Sequence, residues 1–133
     1  EIGDLSPSTF DRIILDAPCT GLGALRRRPD ARWTKSINNL KDLILLQQQL
    51  LASATKAIKE SGSIYYITCS PHKAETDLMI SEFLIDHTNF KLDQIGKTEP
   101  TDLKSDLQSK YFRTWTHLGQ GDSMFMAKLT RFS

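Results

Sequence analysis

The chain has 133 residues, 39% of them hydrophobic and 25% charged, which is enough for one compact domain with a buried core. Its 17 basic and 16 acidic residues leave a formal charge of +1, so bulk charge does not announce a polyanion-binding protein. Two cysteines and three scattered histidines exclude a disulfide scaffold and a metal-ligand cluster, and no apolar run is long enough to span a bilayer. An unbridged chain that opens on Glu1, with no basic-then-apolar leader, reads as a piece of a longer cytoplasmic protein.

Residues 10–15 (FDRIIL) follow a Ser6-Pro7-Ser8 turn signal and predict a short buried strand that stops at Asp16-Ala17-Pro18. Residues 16–36 read as loop, broken by Pro18, Gly21, Gly23 and Pro29. Within them Arg26, Arg27, Arg28, Arg32 and Lys35 form a basic cluster, which fits a solvated loop and a phosphate-binding one equally well. Residues 38–60 carry the clearest helical period, in Leu40, Leu43, Ile44, Leu50, Leu51, Ala54, Ala57 and Ile58. Ser36, Asn38 or Asn39 is the expected N-cap, and Gly62 the expected left-handed residue just past the end.

Residues 63–68 (SIYYIT) are β-branched and aromatic and predict a second buried strand running directly into Cys69-Ser70-Pro71. Helical spacing resumes over 74–87, a weak strand follows at 90–92, residues 94–110 are polar loop, and 123–129 (SMFMAKL) form a last strand. Strands alternating with helices predict an open α/β sheet built from parallel crossovers. In such sheets ligands collect beyond the carboxyl ends of the strands. Cys19 lies four residues after Leu15, and Cys69 directly follows Thr68. If those strands are neighbours, the two thiols share one crevice. Either cysteine alone is more readily a small buried hydrophobe. The pair points instead to thiol chemistry. Asp16, at the end of the first strand, reads either as a turn cap or as a functional acid.

The segments LDAPCTGLGALRRRPDARW at 15–33 and GSIYYITCSPHKAETD at 62–77 resemble the Sun/Fmu family of RNA 5-methylcytosine methyltransferases. Gly121-Asp122-Ser123-Met124-Phe125 is similar to that family's closing segment, so the resemblance spans nearly the whole chain. It implies a Rossmann-like fold dependent on S-adenosylmethionine, truncated here to the fourth to seventh strands, with the last strand antiparallel. Residues 1–133 are then the C-terminal portion of a single catalytic domain, without its N-terminal cofactor-binding half.

The resemblance further implies methylation of cytosine C5 through a covalent adduct at C6. Cys69 becomes the nucleophile and Cys19 the thiol that assists release. Asp16 becomes the acid beside the cofactor's methionine end, and beside the ring edge of the base. Arg26, Arg27, Arg28 and Arg32 become contacts to RNA phosphates, and Trp33 either stacks on a base or faces the core. The expected partner is RNA, ribosomal ahead of transfer RNA, with no metal and no membrane. DNA cytosine methyltransferases also carry a Pro-Cys loop but no TCS partner, and amino-directed methyltransferases need no thiol. A non-catalytic RNA-binding remnant is opposed by the joint presence of Asp16, Cys19 and Cys69. Lacking a Gly-rich cofactor loop, the chain alone is expected to be inactive. Its strand at 10–15 is expected to be a bare edge, through which the chain self-associates or which residues 1–9 shield.

Overall fold

In chain order the elements are β1 (Phe10–Asp16), α1 (Ile37–Ala57), β2 (Ile58–Thr68), α2 (Asp77–Asp86), β3 (Phe90–Asp93), β4 (Phe112–Arg113) and β5 (Phe125–Arg131). The structure, a computed structural model, describes residues 7–30, 37–95, 110–119 and 121–133. One sheet has the order β1-β2-β5-β3, with β4 also paired to β5. β1 and β2 are parallel, while β5 runs antiparallel to β2, β3 and β4. β1, β2 and β3 therefore point the same way, and most pairings are antiparallel because the reversed β5 is inserted between β2 and β3. This is the expected α/β sheet with an antiparallel last strand.

The period of two along the strands separates the faces of the sheet. Ile64, Tyr66 and Thr68 of β2 and Phe125, Ala127 and Leu129 of β5 are fully buried. All but Thr68 meet Leu51 and Ala54 of α1, Met79, Ile80 and Phe83 of α2, and Phe90 of β3 in one apolar cluster. The intervening Tyr65, Ile67, Met126 and Lys128 are only half-buried.

Three expectations are corrected. β1 is not a buried strand, although among the described residues it is the edge expected of the truncated sheet: Ile13 and Leu15 reach the core only in part, and Ile14 is 73% exposed. A strand with one neighbour and one covered face cannot bury alternate residues on both sides. α1 ends at Ala57 rather than running to residue 60, because β2 begins at Ile58. The last carbonyls of α1 are met by the chain entering β1, with Ser8 N–H donating to Lys56 O at 2.9 Å and Thr9 N–H to Ala57 O at 2.8 Å.

Gly62 is accordingly not the left-handed residue after a helix. It lies within β2, where a register shift sets Phe10 opposite Ile58 but Arg12 opposite Ser63. Ser61 takes the left-handed backbone there, with φ 62°. Gly62 is needed for another reason: a Cβ on it would lie 2.8 Å from Ile58 Cγ1 and 2.9 Å from Lys59 O. Elsewhere the shifts are small. The predicted helix at 74–87 is a single turn at Lys73–Glu75 followed by α2, and the closing strand is displaced by two residues. The two-residue β4 was hidden in a stretch with no strand pattern.

Candidate active site

β1 and β2 are parallel neighbours in register from Arg12 to Asp16, so their carboxyl ends stop side by side. Ala17 N–H donates to Ile67 O at 2.9 Å and carries the ladder one step beyond β1. Pro18 then turns the chain, and Cys19 reaches back toward the residue that ends β2's run. The two sulfurs, Cys19 Sγ and Cys69 Sγ, are 3.2 Å apart. Both thiols are half-buried and unbridged. They line a depression of about 370 Å³ together with Asp16, Pro18, Arg27 and Arg28. The crevice expected from strand order alone is present.

The two thiols are electrostatically unequal. The hydrogen bond from Cys19 lowers the Cys69 thiol to about 7, outweighing burial and the negative charges of Asp16 and Asp122. The same contact, with burial and the adjacent charge of Cys69, pushes Cys19 well above the ordinary thiol range. Near neutral pH the pair holds a partly ionised Cys69 and a protonated Cys19 that donates to it. A solvent-accessible, half-buried thiol of lowered pKa beside a proton donor is the setting of a reactive cysteine.

Three loops meet around this pair, and their junction is made of backbone. Gly23 N–H donates to Cys69 O at 2.9 Å, and Ser123 N–H donates to Gly23 O at 2.9 Å. A Cβ on Gly23 would fall 2.0 Å from Ser123 O and 2.9 Å from Cys69 O, so only glycine fits. The sequence marked Gly23 merely as a breaker.

Of the arginine run, Arg26, Arg27 and Arg28 are exposed just past the turn Leu22–Ala24, with the N–H groups of Arg27 and Arg28 both donating to Ala24 O. Arg27 is paired with an acid. Its Nε and Nη2 donate to Asp122 Oδ2 at 2.8 and 2.5 Å, tying this loop to the 121–124 segment. Arg32, Trp33 and Lys35 lie outside the described residues.

Two functional neighbours were missed. Gln47 and Glu75 are both fully buried beneath the cysteines. Gln47 Nε2 donates to Pro18 O at 2.8 Å and to Glu75 Oε1 at 3.1 Å. A signal for Gln47 existed, since it falls on the stripe Leu40, Leu43, Ile44, Leu51, Ala54, where a polar residue is out of place. Glu75 had no comparable signal, because an acid near a helix start is ordinary.

No group of three or more His, Cys, Asp or Glu that could hold a metal occurs among the described residues. For S-adenosylmethionine the described residues fit one end only: Asp16 offers a carboxylate beside the thiols, and they do not enclose a nucleoside.

Comparison with known proteins places these features. A family described as 16S rRNA methyltransferase RsmB/F matches residues 2–130. A Mycobacterium tuberculosis protein named only as a methyltransferase is 41% identical over 130 residues, covering 98% of this chain and 28% of that protein. The ribosomal RNA small subunit methyltransferase B of Photorhabdus laumondii is 36% identical over 122 residues, 92% of this chain and 26% of its own length. Among solved structures, PH0851 superposes with a TM-score of 0.82 at 31% identity, covering 92% of this chain and 27% of that one. NSun6 from Pyrococcus horikoshii, solved with SFG, superposes with a TM-score of 0.73 at 25% identity, over 94% and 31% respectively. The chain thus spans roughly a quarter of the length of the curated relatives it matches. By its match over nearly its whole length, the chain belongs to the RsmB/F family of 16S rRNA methyltransferases.

Proposed function

We propose that the protein carrying this chain methylates cytosine C5 in small-subunit ribosomal RNA, and that residues 1–133 form the C-terminal portion of its catalytic domain. The observation that carries this reading is the 3.2 Å approach of two thiols beyond the carboxyl ends of adjacent parallel strands. The names of the relatives favour ribosomal over transfer RNA, and such a substrate places the work in the cytoplasm. S-adenosylmethionine, of which SFG is an analogue, would supply the methyl group, with Asp16 holding one end of it.

C5 of cytosine is a weak nucleophile. The Cys69 thiolate bonds to C6, which breaks the C5–C6 π bond and leaves that electron pair available at C5 to take the methyl group. Negative charge developing on the ring is offset by protonation at N3, and the Asp16 carboxylate accepts a hydrogen bond from that protonated edge. Once Cys69 is bonded to carbon its charge is gone, and the main electrostatic obstacle to ionising Cys19 goes with it. Cys19, having given its own proton to solvent, is then placed as a thiolate to accept the C5 proton. The freed electron pair re-forms the C5–C6 π bond and expels the Cys69 thiolate. Arg26, Arg28 and Arg32 contact phosphates flanking the extruded base.

The test is trapping in the full-length protein with ribosomal and transfer RNA and cofactor. Cys19→Ala accumulates a covalent protein–RNA species on ribosomal RNA, because addition proceeds while release stalls, and Cys69→Ala accumulates none. Adduct in Cys69→Ala alone would reverse the two roles, and adduct in neither would remove the covalent reaction.

A further inference from the structure

Beneath the two thiols lies a carboxylate with no solvent exposure, Glu75. Four donors converge on it. Thr20 N–H and Gln47 Nε2 reach Oε1 at 2.8 and 3.1 Å, while Thr20 Oγ1 and Ser70 Oγ reach Oε2 at 2.6 and 2.5 Å. Among the described residues it forms no ion pair. Burying a carboxylate without a counter-ion is costly, and for holding a turn in place an apolar side chain would serve as well. What distinguishes this carboxylate is what it grips. Thr20 follows Cys19 and Ser70 follows Cys69, so a single oxygen, Oε2, holds the residue after each cysteine. The two hydroxyls are 3.2 Å from one another, matching the spacing of the thiols themselves. The main chain on both sides is tied to the same point: Gln47 fixes Pro18 O, Ser70 Oγ accepts from His72 N–H at 3.1 Å, and Tyr66 O–H donates to Glu75 O at 2.9 Å.

We infer that Glu75 is a positioning residue, which clamps the residue after each cysteine and so sets the thiol–thiol separation on which the reactivity of Cys69 depends. Its bearing on methylation rests on the reaction proposed above; the spacing itself does not. Removing the clamp lets the loops part, the hydrogen bond from Cys19 lengthens, and Cys69 reverts toward an ordinary thiol. Cys19, Asp16, Asp122 and Arg27 are the groups whose charge or hydrogen bonding acts on Cys69, and all are retained in the variants below.

The experiment is iodoacetamide alkylation of the 133-residue chain across pH, with each cysteine followed by peptide mass spectrometry and folding by circular dichroism. In the unsubstituted chain Cys69 is alkylated with a midpoint at about 7, and Cys19 reacts far more slowly. Glu75→Gln replaces one acceptor oxygen with a donor amide, so it cannot receive all four donors: one pair, the two hydroxyls or Thr20 N–H with Gln47 Nε2, meets an NH2 group instead of an oxygen. Its midpoint rises by about one pH unit. Ser70→Ala, which removes one arm, shifts the same way, whereas Thr20→Ser keeps its hydroxyl and the original midpoint. A folded Glu75→Gln with an unmoved midpoint overturns the inference. Should that variant fail to fold, Ser70→Ala decides alone, in either direction. A shifted midpoint without any RNA adduct in the Cys19→Ala full-length protein leaves the clamp standing and sinks the reaction. A trapped adduct with an unshifted midpoint does the reverse.

Discussion

Cys69 is the residue where chemistry and electrostatics meet. Its thiol, brought down to about 7 chiefly by the hydrogen bond from Cys19, gains its negative charge as pH rises through that value and loses it as pH falls. The rate of adduct formation in Cys19→Ala should therefore show a midpoint above about 7, since that variant deletes the stabilising donor, whereas the unsubstituted enzyme turns on near neutral pH. Single-turnover rates across pH in the two proteins check this. The arginines divide by their surroundings. Arg26 and Arg28, with no ion pair described, should each carry phosphate contacts, and each Ala substitution should flatten the salt dependence of RNA binding by about 0.7 in slope. Arg27 is already spent on Asp122. Arg27→Ala should change that slope less, while Asp122→Ala frees the guanidinium and steepens it. Fluorescence titrations at several salt concentrations distinguish the three.

At the scale of elements, two glycines act through close approach, and one serine occupies a backbone shape that suits glycine better. Gly23→Ala forces a Cβ against Ser123 O and Cys69 O, so the three-loop junction must open; overpacking of this kind costs about 1–3 kcal/mol. Urea unfolding measures the loss, and Cys69 alkylation should report the displaced loop. At the α1–β2 junction two adjacent substitutions should have opposite signs. Ser61 is exposed at φ 62°, and Ser61→Gly should stabilise by about 0.5–1 kcal/mol through relief of the left-handed backbone. Gly62→Ala should destabilise by about 1–3 kcal/mol, because Ile58 and Lys59 O leave no room. If both substitutions moved stability the same way, the bulge would not have the described shape.

For the molecule as a whole, the sheet has one face under the helices and an outer strand, β1, that pairs only with β2 among the described residues. Its Ile14 is 73% exposed, next to half-buried Tyr65 of β2 on the less covered face. An apolar edge of this kind tends to recruit another chain. Sedimentation of the isolated chain should show mass rising with concentration, and Ile14→Lys should suppress the rise. Calorimetry with S-adenosylmethionine should detect no binding to the isolated chain, since among the described residues the proposed site offers the cofactor one anchor, Asp16. A strictly monomeric chain with micromolar affinity would show the site to be complete without further strands.

Local order was legible in the residues themselves. Helical period located α1, β-branched and aromatic runs located β1 and β2, and the placement of Cys19 and Cys69 after two strands pointed to one crevice, because a parallel crossover leaves strand ends side by side. The DAPC and TCS segments carry the family's signature in sequence alone. Other features depend on contacts between distant residues. Whether β1 is covered depends on what packs beside it, and its apolar residues are the same in either case. The left-handed residue moved from Gly62 to Ser61 because a register shift against β1, set by the neighbouring strand, overrode the local preference for glycine. The pairing of Arg27 with Asp122, 95 residues away, exists only in the folded chain. Glu75 is the clearest case. An acid near a helix start is unremarkable in sequence, and its role exists only because the sheet stacks two loops over it, so that Thr20, Gln47 and Ser70, from three separate segments, can reach the same carboxylate.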